Sequence, residues 1–295
     1  MTVAEIRAAP RRSRLTAFWK QAPLSFRIGT VLLLALLAVA ATGPFWAPFG
    51  PTQMRAGAPL SGFSWSHLMG TDQLGRDVFS RVVHGAPIVL LLAISGTLLG
   101  AVVGAVIGLL SGYLSGWFDE FVMRGVEALI SIPFLILALM IVAFAGPENS
   151  GQPLLVVLVI AFIYAPRMAR LARAAALDII KRDYVTAARL NGEGALAVVW
   201  RELLPNAAGV ILVEIALRAS YAPVLVGALG FLGFGLRPPT PEWGLMIGEY
   251  RTYLLINPVM VIGPGIALAI LVIGLNLWTD GLARVIGGSG REGDA

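Results

Sequence analysis

The chain has 295 residues, 57% of them hydrophobic and only 13% charged, with a net charge of +5 and no cysteine. A soluble domain carries roughly a quarter charged residues, so this composition excludes an ordinary water-solvated fold, and the missing thiol excludes disulfides, cysteine nucleophiles and cysteine metal sites. The positive balance does not describe a nucleic-acid surface, because lysine and arginine gather at the ends of apolar runs instead of interleaving with aromatics.

A membrane helix needs roughly 20 mainly apolar residues, and six runs of the chain meet that need. Residues 1–27 are a basic tail carrying Arg7, Arg11, Arg12, Arg14, Lys20 and Arg27. The first span is Ile28–Phe45. Its basic flank, apolar stretch and Ala38-Val39-Ala40 also fit a cleaved signal peptide, which would leave five spans. A polar segment follows, with His67-Leu68-Met69-Gly70-Thr71-Asp72-Gln73-Leu74-Gly75-Arg76-Asp77-Val78-Phe79-Ser80-Arg81 and then Gly85. Its Gly70–Gly75 stretch lacks the Gly-Lys-Ser/Thr ending that grips phosphates. The second span, Pro87–Leu110, has glycine at 96, 100, 104, 108 and, just beyond, 112. Small residues every fourth position let helix backbones approach closely in lipid; such a face serves tight packing or a sliding contact.

The third span is Phe121–Ala145, with Glu127 three residues from Arg124. The fourth is Leu154–Met168. After it comes a basic polar island of about 171–206, flanked by Arg167 and Arg170 and holding Arg173, Lys181, Arg182, Arg189 and Arg201. Within it, Asp183–Leu190 can form a helix in which Ala187 and Ala188 have little bulk. Gly192 and Gly194 permit a sharp turn. A second helix, Ala195–Leu203, then runs into Leu204-Pro205, where proline suits a helix entry. Two short helices around a glycine hinge make a compact knob; an amphipathic helix lying on lipid headgroups is the other reading.

The fifth span, Ala207–Leu229, holds Glu214 and Arg218. Their i,i+4 spacing lets them neutralise each other at a depth where a lone charge costs about 2.5–3.5 kcal/mol. They form a structural pair or line a polar path. Pro223 in the same span removes a backbone donor. Then come Phe231-Leu232-Gly233-Phe234-Gly235 and Pro238-Pro239-Thr240-Pro241-Glu242-Trp243-Gly244, the last span Val259–Trp278, and a tail of 282–295. His67 and His84 lie well apart with no carboxylate-rich ligand pattern, so no metal site is expected, and nothing has the pattern of a catalytic centre.

The order Ala187-Ala188, Gly192, Leu204-Pro205 resembles the "EAA" cytoplasmic loop of ABC importer permeases. The segments 67–85 and 231–244 resemble the matching parts of the dipeptide, oligopeptide and nickel permease family, its C-type subunit in particular. The resemblance runs from the first span to Gly281. It implies an all-α permease of the type I importer fold over 28–281, with six transmembrane helices in the inner membrane. It implies a coupling loop of Tyr184, Thr186, Ala187, Ala188, Arg189, Asn191, Gly192, Glu193, Leu204 and Pro205 that docks in a groove on an ATPase. Thr186 stands where the motif has glutamate, so an ion pair made there is in doubt. It further implies a homologous permease subunit, two cytoplasmic ATPases that bind ATP and magnesium, and an extracytoplasmic solute-binding protein. The chain itself would hold no cofactor and catalyse no reaction; its cargo would be a peptide or related solute. An ion-coupled secondary transporter using Glu214 is the alternative, but it leaves the loop unexplained.

With six spans, both tails and the 171–206 loop share one side, and their basic excess assigns that side to the cytoplasm. Cysteines introduced at Ser13, Asn191 and Ser289 should therefore be shielded from an impermeant thiol reagent in intact cells, while cysteines at Ser64 and Thr240 react. Labelling at position 191 from outside reverses the orientation.

Overall fold

A computed structural model describes residues 22–288, and every regular element in that range is helical. Helix α1 is Leu24–Trp46. Helix α2, Val78–Leu114, starts where the Asp77 side chain accepts from the Ser80 N–H at 2.7 Å. That cap sets the start nine residues before the expected Pro87, which lies inside the helix. At 1.5 Å per residue α2 is roughly 55 Å long, so it projects from a hydrocarbon core of about 30 Å.

The expected third span is two helices, α3 (Gly116–Ser131) and α4 (Phe134–Ala145), bent by 101° at the break between them. Pro133 causes the break. It has no N–H to give, and it forces the preceding Ile132 into extended backbone (φ −79°, ψ 129°). Helix α5 runs Pro153–Ile179 and so continues well past the expected end at Met168. Arg167, Arg170 and Arg173 are consequently helical residues, not loop residues. The remaining helices are α6 (Asp183–Leu190), α7 (Ala195–Val198), α8 (Leu204–Phe231), α9 (Trp243–Tyr250) and α10 (Val259–Gly288).

Glycine positions give the relative directions of the helices. A Cβ placed on Gly96 would meet Ile160; on Gly100, Ala161; on Gly104, Ala165; on Gly108, Ala169; and on Gly112, Ala176. The numbers rise together, so α2 and α5 lie side by side and parallel. The chain between them must cross the bundle to return, and the bent pair α3–α4 makes that crossing. The count of five long apolar helices thus becomes six crossings. In α1 and α10 the order is reversed: Gly29 lies against Trp278, and Gly281 against Phe26. Phe26 also stacks on Trp278, with ring centroids 6.1 Å apart. Helix α1 therefore packs antiparallel against α10. The start of α1, the end of α10 and the α5–α8 connection all fall at one end of the bundle.

The opposite end is closed by a buried polar network. Asp72, fully buried, accepts from the Leu74 and Arg76 backbone N–H groups, from the Arg76 side chain, and from the Tyr250 hydroxyl at 3.2 Å. Arg81 reaches Glu249 at 3.5 Å and the carbonyl oxygens of Pro51 and Pro239. His67 Nδ1 sits 2.9 Å from Asp77 Oδ1, and the Trp243 indole donates to the Val82 carbonyl at 2.8 Å. Glu242 caps α9 through the Gly244 and Leu245 N–H groups, and burial pushes its carboxyl up to about 7 against those bonds. Halving a buried ion pair costs about 3–5 kcal/mol, so this network holds its loops rigidly.

The α2–α5 seam has a direct test. A Cβ on Gly108 would lie 2.1 Å from the Ala169 carbonyl oxygen, whereas one on Gly209 meets nothing within 4 Å. Gly108→Val should lower the thermal stability of the detergent-solubilised protein, with overpacking of about 1–3 kcal/mol. Gly209→Ala should leave it unchanged or slightly raised.

Candidate functional site

The α5–α8 connection is built on the ends of α2 and α5. Asp183 in the first turn of α6 and Arg189 in its last complement the helix dipole. Val185 and Ala188 are buried. They join Leu109, Ala172, Ala176, Val198, Val199 and Leu203 in one apolar cluster. The Arg189 guanidinium stacks over the Tyr113 ring at 4.6 Å, a cation–π contact that pins the far end of α6 to α2.

The end of α6 is a Schellman turn. The Glu193 N–H donates to Ala188 O at 3.2 Å and the Gly192 N–H to Arg189 O at 3.0 Å. Gly192 has φ +82°, and a Cβ there would meet no atom within 4 Å. Glycine is thus required by backbone conformation, not by crowding. Asn191 precedes it as the C-cap. One carboxylate oxygen of Glu193, Oε2, is buried with no hydrogen-bond partner among the described residues.

The second arm differs from a separate short helix. Helix α7 passes through a π turn, Val199–Leu203, straight into α8. Pro205 sits just after the widened turn, near the start of α8. Proline denies one hydrogen bond and crowds the preceding turn, and a π turn accommodates such a fault without ending the helix. Asn206 Nδ2 also donates to the Glu202 carbonyl at 2.6 Å. The loop is therefore one short helix, a glycine turn, and the leading end of α8.

The knob has two faces. Tyr184, Thr186, Ala187, Arg189, Leu190, Asn191 and Gly192 are exposed, and so is Pro205; Leu204 is half-buried. Ala188 faces the bundle, so of the two alanines only Ala187 offers its small side chain outward. Leu190, Leu196 and Trp200 add an exposed apolar rim that sequence reading did not single out.

Glu214 and Arg218 do meet. Arg218 Nε donates to Glu214 Oε1 at 2.6 Å, and the carboxylate is buried. A second ion pair went unread in the sequence. Arg173 grips Asp119 in a fork, and Ser111 Oγ also donates to that carboxylate at 2.6 Å. It ties α3 to α5 and α2 beside the knob. Asp119 and Arg173 lie far apart in sequence, so no local spacing announces the pair. Glu127 has no hydrogen bond or ion pair among the described residues, and Arg124 pairs with Glu120 instead.

Comparison with known proteins agrees with this architecture. Residues 104–289 match the family described as binding-protein-dependent transport system inner membrane component. The chain is 36% identical to the di/tripeptide transport system permease protein DppC of Pseudomonas aeruginosa, covering 92% of this chain and 90% of that protein. It is 40% identical to the dipeptide transport system permease protein DppC of Escherichia coli K12, covering 86% of each. It is 36% identical to a putative peptide transport system permease protein of Brucella suis, covering 89% of this chain and 87% of that protein. Its fold is similar to a chain of the inward-facing MetNI methionine ABC transporter, with TM-score 0.55 and 22% identity over 70% of this chain and 97% of that one. The chain belongs to the family of binding-protein-dependent transport system inner membrane components, as a multi-pass, non-catalytic ABC permease whose ATP is bound by separate subunits.

Proposed function

We propose that this permease imports di- or oligopeptides, and that the face made by Tyr184, Thr186, Ala187, Arg189, Asn191, Gly192, Glu193, Leu204 and Pro205 couples it to the ATPases. The observation that carries the coupling role is the Schellman-capped helix Asp183–Leu190, buried on one side against α2 and α5 and bare on the other. A shape held that firmly, with small and polar groups outermost, suits a preformed groove on a partner. The peptide cargo is supported by its relatives, three of which are named as peptide, dipeptide or di/tripeptide permeases.

In this reading the knob and both chain ends face the cytoplasm, in keeping with the basic excess of that end. A homologous permease supplies the other half of the path, and two ATPase subunits take the two knobs. A solute-binding protein docks at the opposite end, where the network of Asp72, Arg76, Arg81 and Glu249 gives a firm surface. The direct passage of α7 into α8 supports a rigid lever: motion at the knob enters the helix that carries Glu214 and Arg218 with no loop between. The pairing of Glu214 with Arg218 leaves no free carboxylate there for ion coupling.

Three variants test the coupling face. Ala187→Trp should leave the bundle's thermal stability unchanged but abolish pull-down of the ATPases and ATP-driven dipeptide uptake. Gly192→Val should strain the turn by about 1–2 kcal/mol and weaken both. Ala188→Trp should instead lower thermal stability, because that side chain points into the core. Full association and uptake in the first two variants would remove the coupling role.

A further inference from the structure

Beside the break in the third crossing lies a recess of about 580 Å³, lined among others by Phe134, Tyr164, Arg167, Arg218 and Tyr221. That volume falls in the range of small-ligand sites. Arg167 sits roughly 21 Å along α5 from its start at Pro153, and Arg218 roughly 20 Å from the end of α8 at Phe231. The start of α5 and the end of α8 lie at the same face of the bundle, so the two guanidinium groups lie at a similar depth, roughly two thirds of the way across a hydrocarbon core of about 30 Å measured from that face.

Their electrostatic states differ. Arg218 is neutralised by Glu214. Arg167 is half-buried and has no hydrogen bond or ion pair among the described residues. The hydroxyls of Tyr164 and Tyr221 have no hydrogen bond there either, although Tyr164 is buried. No carboxylate lines the recess. A free guanidinium and two free phenols around one cavity present donors with nothing to receive them. A charge left so in the membrane interior is costly, and such residues are usually retained for what they bind.

We propose that Arg167, flanked by Tyr164 and Tyr221, is an intramembrane site for the carboxylate at the C-terminus of the transported peptide. The guanidinium fork matches a carboxylate with two parallel N–H donors, and each phenol can add an O–H donor. Phe134 stands at the start of α4, immediately after the proline break, so the site borders the one crossing that is not a continuous helix. The site recognises an anion common to all peptides and ignores side chains, which suits a path that must release varied cargo. This inference rests on the peptide reading above.

The test uses the full complex of permease pair and ATPases in nanodiscs, without the binding protein, so that binding to the membrane part is read alone. Dialanine, its C-terminal amide and N-acetyl-dialanine are compared by saturation-transfer NMR and equilibrium dialysis. The acid and the N-acetyl acid should bind alike, and the amide about tenfold more weakly. Arg167→Gln should weaken the two acids about tenfold and erase the preference over the amide, and Arg167→Lys should keep part of it. Equal binding of acid and amide, no binding of dialanine, or unchanged binding in Arg167→Gln overturns the site. Loss of the partner permease from the Arg167→Gln complex also overturns it, since Arg167 would then belong to an ion pair between subunits. Uptake by the intact system separates the two claims. Peptide import without acid selectivity removes the site alone; acid-selective binding without peptide import removes the peptide cargo and keeps the carboxylate site.

Discussion

The close parallel contact of α2 with α5 is the constraint on which the rest of the molecule depends. Five glycines clear a groove down α2, and the alanine-rich side of α5 fills it backbone to backbone. In lipid there is no hydrophobic drive to bring helices together, so this kind of contact rests on van der Waals packing of small residues. Parallel neighbours need a return crossing between them, and this chain makes it with two half-helices hinged at Ile132-Pro133. The same contact brings the ends of α2 and α5 together, and that junction is the floor under the short helix α6. The packing face, the broken crossing and the placement of the knob are thus three aspects of one arrangement.

Each end of the bundle is fixed by a different kind of force. At the knob end, apolar burial dominates: Val185, Ala188, Val198, Val199 and Leu203 share a cluster with α2 and α5, and the Asp119–Arg173 fork clamps α3 alongside. At the other end the glue is polar. Asp72, Arg76, Arg81 and Asp77 are all buried; Asp72, Asp77 and Arg81 are satisfied in part by backbone groups, and Arg76 by the Asp72 carboxylate. The knob thus rests on an apolar base, while polar bonds keep the loops of the opposite end in one shape.

Much of this was legible in the sequence, for identifiable reasons. The apolar runs located every crossing, because lipid demands length and composition above all. Helix α6 was readable to the residue: Gly192 needs a left-handed backbone, and few signals end a helix so plainly. The break at Pro133 was also written in the chain, but hydropathy counts proline as one weak position in an apolar run and hides the bend. The facing of Ala188 was not accessible, since adjacent alanines carry no marker of which one turns inward. The extension of α5 past Met168 was obscured because arginine raises polarity without lowering helix propensity. The long-range pairs, Asp119 with Arg173 and Arg81 with Glu249, depend on which helices lie together and leave no local trace.

The π turn at Val199–Leu203 has a consequence for how the chain counts its faces. A π turn takes up one residue more than an α turn, and one residue is about 100° of rotation. The apolar stripe of α7 and that of α8 are thus out of phase by that angle, and no single 3.6-residue period runs through Ala195–Phe231. The extra residue works as a vernier: it aims the knob-bearing end independently of the membrane end while leaving the rod unbroken. Removing one residue from Val199–Leu203 would restore a plain α-helix of nearly the same length. It would also turn Leu196 and Trp200 to a different side of the bundle, with every crossing still in place.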